Sequence, residues 1–238
     1  MKKNRNFNLS IALLQELSQS ALRNSKELCL EASLLERNGH YARAYFLAVA
    51  SIEETGKAKI AFDAQGRKFN DSAVCDRIKR SLEDHSSKIT SAFIPWVESS
   101  PDMRKTLIKV TKWMAQLKFA RELSMYTDFN IEKLAIYVPS EIVPAIAAKD
   151  CVRLANDCLV RARNKLDGRE APTKSTPMQD ALFALKPKIY NEIMKMEDFH
   201  LFYINQIASG NNKFEEAVMK YYKDYFKLNL KFKGTSPE

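Results

Sequence analysis

Three polar clusters interrupt otherwise apolar, helix-forming stretches, and each contains side chains able to move protons or hold phosphate. The first is Ser51-Ile52-Glu53-Glu54-Thr55-Gly56-Lys57, where two carboxylates break the most apolar segment of the chain. A buried acid needs a partner. Neighbouring helical positions point about 100° apart, so one of Glu53 and Glu54 faces inward and not both. The plain reading pairs Glu53 with Lys57 at i, i+4. The functional one turns Glu54 inward to hold a basic or imidazole side chain.

The second cluster is Arg80-Ser81-Leu82-Glu83-Asp84-His85, with Lys88 three positions further on. A histidine can act as general acid or base towards a ribose hydroxyl, and a nearby arginine or lysine can steady charge on a phosphoryl group. On a regular helix Arg80 and His85 are about 140° apart. They meet only if the backbone bends or if the site forms across a subunit interface. His85 and Lys88 share a face without such help, and an exposed polar face is the plain alternative.

The third cluster, Arg121-Glu122-Leu123-Ser124-Met125-Tyr126-Thr127-Asp128-Phe129, closes another helical stretch. Arg121 lies one position off the stripe through Val110, Met114, Leu117 and Leu123, which suits a half-buried cation. Tyr126 and Asp128 either anchor the following loop or complete a polar pocket with Arg121. Of the remaining histidines, His40 follows Gly39 in a turn and His200 packs or faces solvent. There is no pair of Glu-x-x-His motifs of the kind a di-iron bundle uses, so neither a metal nor another cofactor is expected.

The elements that must position these clusters read as long helices with short breaks. Glycine (6) and proline (8) are scarce in 238 residues, and strands are not expected. The periodicity predicts a first helix over 8–38, with Leu14, Leu17, Ala21, Leu28, Ala32 and Leu35 on one stripe. The segment 41–62 is apolar nearly all round and reads as the central helix. A third helix over 71–94 stops at Pro95, with Trp96 packing at that corner. Ser100 and Pro101 then cap and open a fourth, reaching Tyr126. Ser140 caps a fifth, reaching Leu166. Residues 167–176 are polar, contain Gly168 and Pro172, and read as a linker. Further helices break near Pro187 and Gly210, and the last, over 212–228, sets Tyr221, Tyr222, Tyr225 and Phe226 among Lys213, Lys220, Lys223 and Lys227. Those lysines are candidates for RNA contact, although aromatics at helical spacing commonly belong to a core. The organisation expected is a helical bundle over 1–166, with a C-terminal helical extension over 167–238 packed on it.

Composition bounds the setting. Hydrophobic residues make up 45 % of the chain, enough for a substantial core. The four cysteines (Cys29, Cys75, Cys151, Cys158) lack metal-ligand spacing and read as reduced thiols, consistent with a cytoplasmic protein. No segment reaches transmembrane length, and no membrane partner is expected. A net charge of +9 favours anionic partners such as nucleic acid, because a positive field concentrates polyanions before specific contacts form.

Taken in order, the clusters resemble the AbiV family of abortive-infection proteins within the HEPN class of helical domains. The similarity runs over roughly 9–166. It is carried by Gly39-His40-Tyr41-Ala42-Arg43-Ala44-Tyr45-Phe46-Leu47-Ala48 leading into Ile52-Glu53-Glu54-Thr55-Gly56-Lys57, then by His85 with Lys88, Arg121 with Tyr126-Thr127-Asp128-Phe129, and Pro139. The resemblance implies an all-α HEPN-like bundle that dimerises and an antiphage toxin that arrests translation. RNA or the translation machinery would be its target, and a phage-encoded protein its activator. It also implies metal-independent ribonuclease chemistry at an arginine followed, four to six residues on, by a histidine. Arg80 and His85 fit that formula, whereas the usual HEPN position later in the chain offers Arg121 with Tyr126 and Asp128 in place of histidine. The expected site is therefore His85 with Arg80 or Arg121, supported by Glu53, Glu54, Lys57, Lys88, Tyr126 and Asp128. The alternative is a non-catalytic module that blocks translation by protein or ribosome contact.

Overall fold

A computed structural model describes residues 9–211 and 213–232. Its first helix, α1 (Ile11–Arg37), starts where the Ser10 hydroxyl accepts the Leu13 N–H, satisfying one of the free donors of the first turn. It ends at Asn38 and Gly39, whose φ of +79° reverses the chain into α2 (Tyr41–Ala64). The central helix is thus α2, as its all-round apolar sequence demands.

Around α2 pack α1, α4 (His85–Glu98) and α7 (Ala145–Asp167), while α3 (Ser72–Glu83) and α5 (Met103–Leu123) complete the bundle. Small side chains let three neighbours approach one helix: Ala44, Ala48, Ala58 and Ala61 are all fully buried. Polar groups between α1 and α2 are mutually satisfied, with Ser25 Oγ bonded to Ser51 Oγ and to Thr55 Oγ1 at 3.0 and 2.7 Å. An aromatic corner of Phe93, Trp96 and Trp113 ties α4 to α5.

Several expected boundaries move. The helix expected over 71–94 is two helices, because Asp84 takes extended backbone (φ −72°, ψ 119°) and its carboxylate accepts the Ser87 N–H as the cap of α4. Pro95 does not stop α4. It lies inside it, and burial of Pro95 and Val97 offsets the one lost backbone bond. Asp102, not Ser100, caps α5, and α5 ends at Leu123 and not at Tyr126. Strands are present after all, as a short antiparallel hairpin of β1 (Asp128–Asn130) and β2 (Ala135–Tyr137) that pairs Phe129 with Ile136. A one-turn helix, α6 (Pro139–Ile142), precedes Pro144 and α7, so Ser140 does not open the long helix.

Beyond α7, α8 (Pro177–Ala184), α9 (Pro187–Lys195), α10 (Glu197–Ala208) and α11 (Phe214–Asp224) enclose a second core that includes Ile193, Phe199, Phe202 and Tyr221. Arg77 of α3 joins the two parts. Its Nη1 donates to the carbonyls of Leu182 and Leu185 at 2.6 and 3.3 Å, and its guanidinium stacks on Phe183 and Tyr190. No helix among the described residues is long and apolar enough to cross a membrane.

Candidate active site

The site is built around Glu53, which is 5 % exposed on the central helix. One buried carboxylate draws three basic side chains from two other helices. His85 Nδ1 lies 2.7 Å from Glu53 Oε2, Lys88 Nζ lies 3.2 Å from the same oxygen, and Arg121 Nε lies 3.0 Å from Oε1. Histidine and lysine come from α4, one turn apart on one face, and the arginine from the end of α5.

Local sequence explains each position. The break at Asp84 makes His85 the first residue of α4, so its ring projects from a helix start towards α2. Lys88 is 7 % exposed and can be so only because a carboxylate faces it. Gly56, one turn after Glu53, removes the side chain that would otherwise hold α4 away. Arg121 also stands beside an aromatic face, with its guanidinium carbon 5.8 Å from the centre of the Phe46 ring.

The electrostatics leave an excess of positive charge. A single carboxylate faces Lys88 and Arg121, so the cluster carries one net positive charge even with the imidazole neutral. The Arg121–Glu53 pair is close but not aligned as a hydrogen bond: Nε and Oε1 are both buried and neither has a hydrogen-bond partner among the described residues. Arg121 is therefore held by charge and not locked by geometry. The His85 side chain is 50 % exposed, so the ring edge away from Glu53 is open to a ligand.

The remaining candidates fall elsewhere. Glu54 is not the inward acid: it pairs with Lys57 at i, i+3, and the carboxylate that meets the imidazole is that of Glu53. Glu53 correspondingly does not pair with Lys57. Arg80 is exposed and donates from Nε to the carbonyl of Asp76 in its own helix, away from the carboxylate that binds His85. Tyr126 and Asp128 are exposed, and among the described residues neither touches Arg121. Asp128 instead accepts the Phe129 N–H at the start of the hairpin. The aromatics of the last helix are core: Tyr221 is fully buried and packs on Phe199, Phe202 and Tyr225. This turns Lys220, Lys223 and Lys227 outward without a stacking platform, and Lys213 pairs with Glu216. His200 Nε2 bonds the Met194 carbonyl, and His40 is an exposed helix-start residue. Among the described residues no three His, Cys, Asp or Glu side chains are grouped to hold a metal ion.

An all-α bundle whose central helix offers one buried acid to an imidazole and two cations is consistent with a HEPN-type domain. The AbiV model of the HEPN class matches residues 13–160, and the chain belongs to that family. That span contains Glu53, His85, Lys88 and Arg121. No curated protein and no solved structure matches the chain.

Proposed function

We propose that this protein is an abortive-infection effector that cleaves RNA in phage-infected cells and so arrests translation, with His85 as its acid–base residue. One observation carries the reading: Glu53 engages Nδ1 of a half-exposed His85 while Lys88 and Arg121 crowd the same carboxylate. A carboxylate that accepts Nδ1–H fixes the tautomer and leaves the Nε2 lone pair facing outward. There Nε2 takes the proton of a ribose 2′-hydroxyl, and the oxygen attacks the adjacent phosphorus. The bond to the 5′-oxygen breaks, leaving a 2′,3′-cyclic phosphate, and water supplies the proton to the departing oxygen. Arg121 presents its Nη groups, which carry no hydrogen bond among the described residues, to the phosphoryl oxygens, and Lys88 adds to the local positive potential. None of these steps calls on a metal.

The test is purified protein incubated with cellular RNA and a chelator. Cleavage by the wild type that is lost in His85→Ala supports the reading. Intact RNA, or equal cleavage by the variant, removes it.

A second reading, a non-catalytic module that blocks translation through a protein partner, is favoured by the hairpin. Phe129, Ile131, Leu134 and Ile136 are 54–79 % exposed, an apolar tip directly after the helix that carries Arg121. A phage-encoded activator, the translation machinery or a second copy of the chain in a homodimer would be its partner. Toxicity that survives His85→Ala but is lost in an Ile131→Lys, Ile136→Lys variant would establish it.

A further inference from the structure

Away from the Glu53 cluster, the end of the bundle and the C-terminal segment enclose a cavity of about 260 Å³ with unusual walls. Five cations line it: Lys59 of α2, Arg67 after α2, Lys165 of α7, and Arg169 and Lys174 of the segment 168–176. Four carboxylates also line it. Two of them are engaged, Asp63 by Lys59 and Glu98 by Lys165. Those pairs also occupy Lys59 and Lys165, which leaves Arg67, Arg169 and Lys174 against Glu170 and Glu215, an excess of one positive charge in favour of an anion.

Arg67 makes the case specific. Its Nε and Nη1 are shielded from solvent and have no hydrogen-bond partner among the described residues, and its guanidinium stacks on Phe183 at 4.2 Å. Buried guanidinium donors left unmade are expensive, because they lose their water without replacement. Burial accordingly pulls the Arg67 pKa below its ordinary value, against the opposing pull of Glu215, Asp63 and Asp180. Lys59 is 6 % exposed, a depth at which a lysine is rarely found. Lys165 is pushed down to about 8, chiefly by burial and then by the neighbouring Lys59 and Arg169, against the opposing pull of Asp63.

The closure is equally built. A Cβ on Gly66 would lie 2.8 Å from Pro172 Cβ and 2.9 Å from the Pro172 carbonyl oxygen, so only glycine admits the segment that covers the cavity. The cavity opens to solvent on one side, and its volume is at the small end for ligand pockets, enough for a phosphoryl group.

We propose that this cavity binds the phosphoryl group of a small phosphorylated molecule, with Arg67 as its anchor and with Lys59 and Lys165, each already paired with a carboxylate, adding to the positive potential. The site stands apart from Glu53 and does not depend on the RNA-cleaving role.

The experiment is calorimetric titration of the full-length protein with inorganic phosphate, AMP and adenosine at constant ionic strength, together with thermal melting. Saturable binding of phosphate and AMP but not of adenosine, with a rise in Tm that chloride does not reproduce, is expected. Arg67→Gln weakens that binding about tenfold, as loss of a charge-assisted hydrogen bond does. Lys174→Ala, an exposed change that keeps the fold, weakens it by about threefold and serves if Arg67→Gln does not fold. No saturable binding of phosphate or AMP overturns the proposal. So does adenosine binding as well as AMP, or unchanged affinity in Arg67→Gln or, where that variant does not fold, in Lys174→Ala.

Discussion

Gly56 of α2 and the main-chain carbonyl of Lys88 in α4 are so close that a Cβ on the glycine would stand 1.7 Å from the carbonyl oxygen. No side-chain rotation relieves a clash with backbone, so the two helices cross at a distance that glycine alone permits. The crossing brings His85 and Lys88 onto Glu53. Gly56→Ala is therefore expected to destabilise the protein by about 3 kcal/mol, the upper range for overpacking. Where it folds, it should separate α4 from Glu53 and remove RNA cleavage. Urea denaturation read by far-UV circular dichroism checks the first effect, and a wild-type midpoint would contradict it.

Glu53 and His85 should separate stability from activity. Glu53→Gln leaves Lys88 and Arg121 desolvated beside a neutral amide, and loss of one member of a buried ion cluster costs roughly 3–5 kcal/mol. His85 is half exposed, so His85→Ala should cost less than about 1 kcal/mol while abolishing cleavage. Paired melts and RNA assays test this. Equal destabilisation by both changes would make His85 a structural residue.

How far the site could be read from sequence depends on which interactions are local. Adjacent carboxylates on an apolar helix require one to be buried, and that much follows from the 100° step between them. Which one depends on where α4 and α5 lie, and this is tertiary information, so the reading fell on Glu54 when the packing selects Glu53. Arg80 and His85 match the spacing that the family resemblance implies, and their meeting within one protomer requires the backbone to bend. The Asp84 cap divides the stretch into two helices, and Asp84, a favoured N-cap residue shortly before the apolar run from Ile89, is the signal the sequence offers. The hairpin at 128–137 was missed because its strands are three residues long and expose most of their side chains, leaving no alternating pattern. The second core was visible only as aromatics at helical spacing.

The four thiols should differ in reactivity. Cys29, Cys151 and Cys158 are buried, and burial raises all three thiol pKa values, most strongly for Cys151 and Cys158. Thiolate, and with it alkylation, is suppressed there. Burial raises the Cys75 thiol as well, but Cys75 is only half-buried, so its accessibility should let iodoacetamide label it first in native protein, with the other three following only on unfolding. Mass spectrometry of labelled peptides decides it, and early labelling of Cys158 would be incompatible with this core.

Lys165 should leave a signature in the pH dependence of stability. Its folded-state pKa is about 8, depressed from an ordinary 10.5 by burial and by Lys59 and Arg169. Between those values the unfolded chain binds more protons at this position than the native one, so stability rises with pH. Below about pH 8 both states are protonated and the full penalty applies. Relative to Lys165→Met, the wild type should therefore gain stability from about pH 8 towards pH 10.5, and show a constant difference just below that window, until the pH falls far enough to protonate its ion-pair partner Glu98. A difference that is flat throughout would mean the ammonium is not desolvated in solution.

Leu134 holds a left-handed backbone, φ +48°, while its side chain is 79 % exposed at the tip of the hairpin. A leucine pays about 1 kcal/mol for that conformation and here recovers nothing by burial within its own chain. Glycine adopts it freely. Leu134→Gly should therefore leave the protein as stable as the wild type or raise its stability by up to about 1 kcal/mol, a gain tempered by the extra entropy of glycine in the unfolded chain. If the apolar tip is a docking element, the same change weakens whatever the hairpin engages. Denaturant midpoints measure the first effect, and growth arrest on expression measures the second. A variant that is clearly less stable would show that the leucine side chain supports the hairpin. A variant that is equally stable and equally toxic would leave the tip without a docking role.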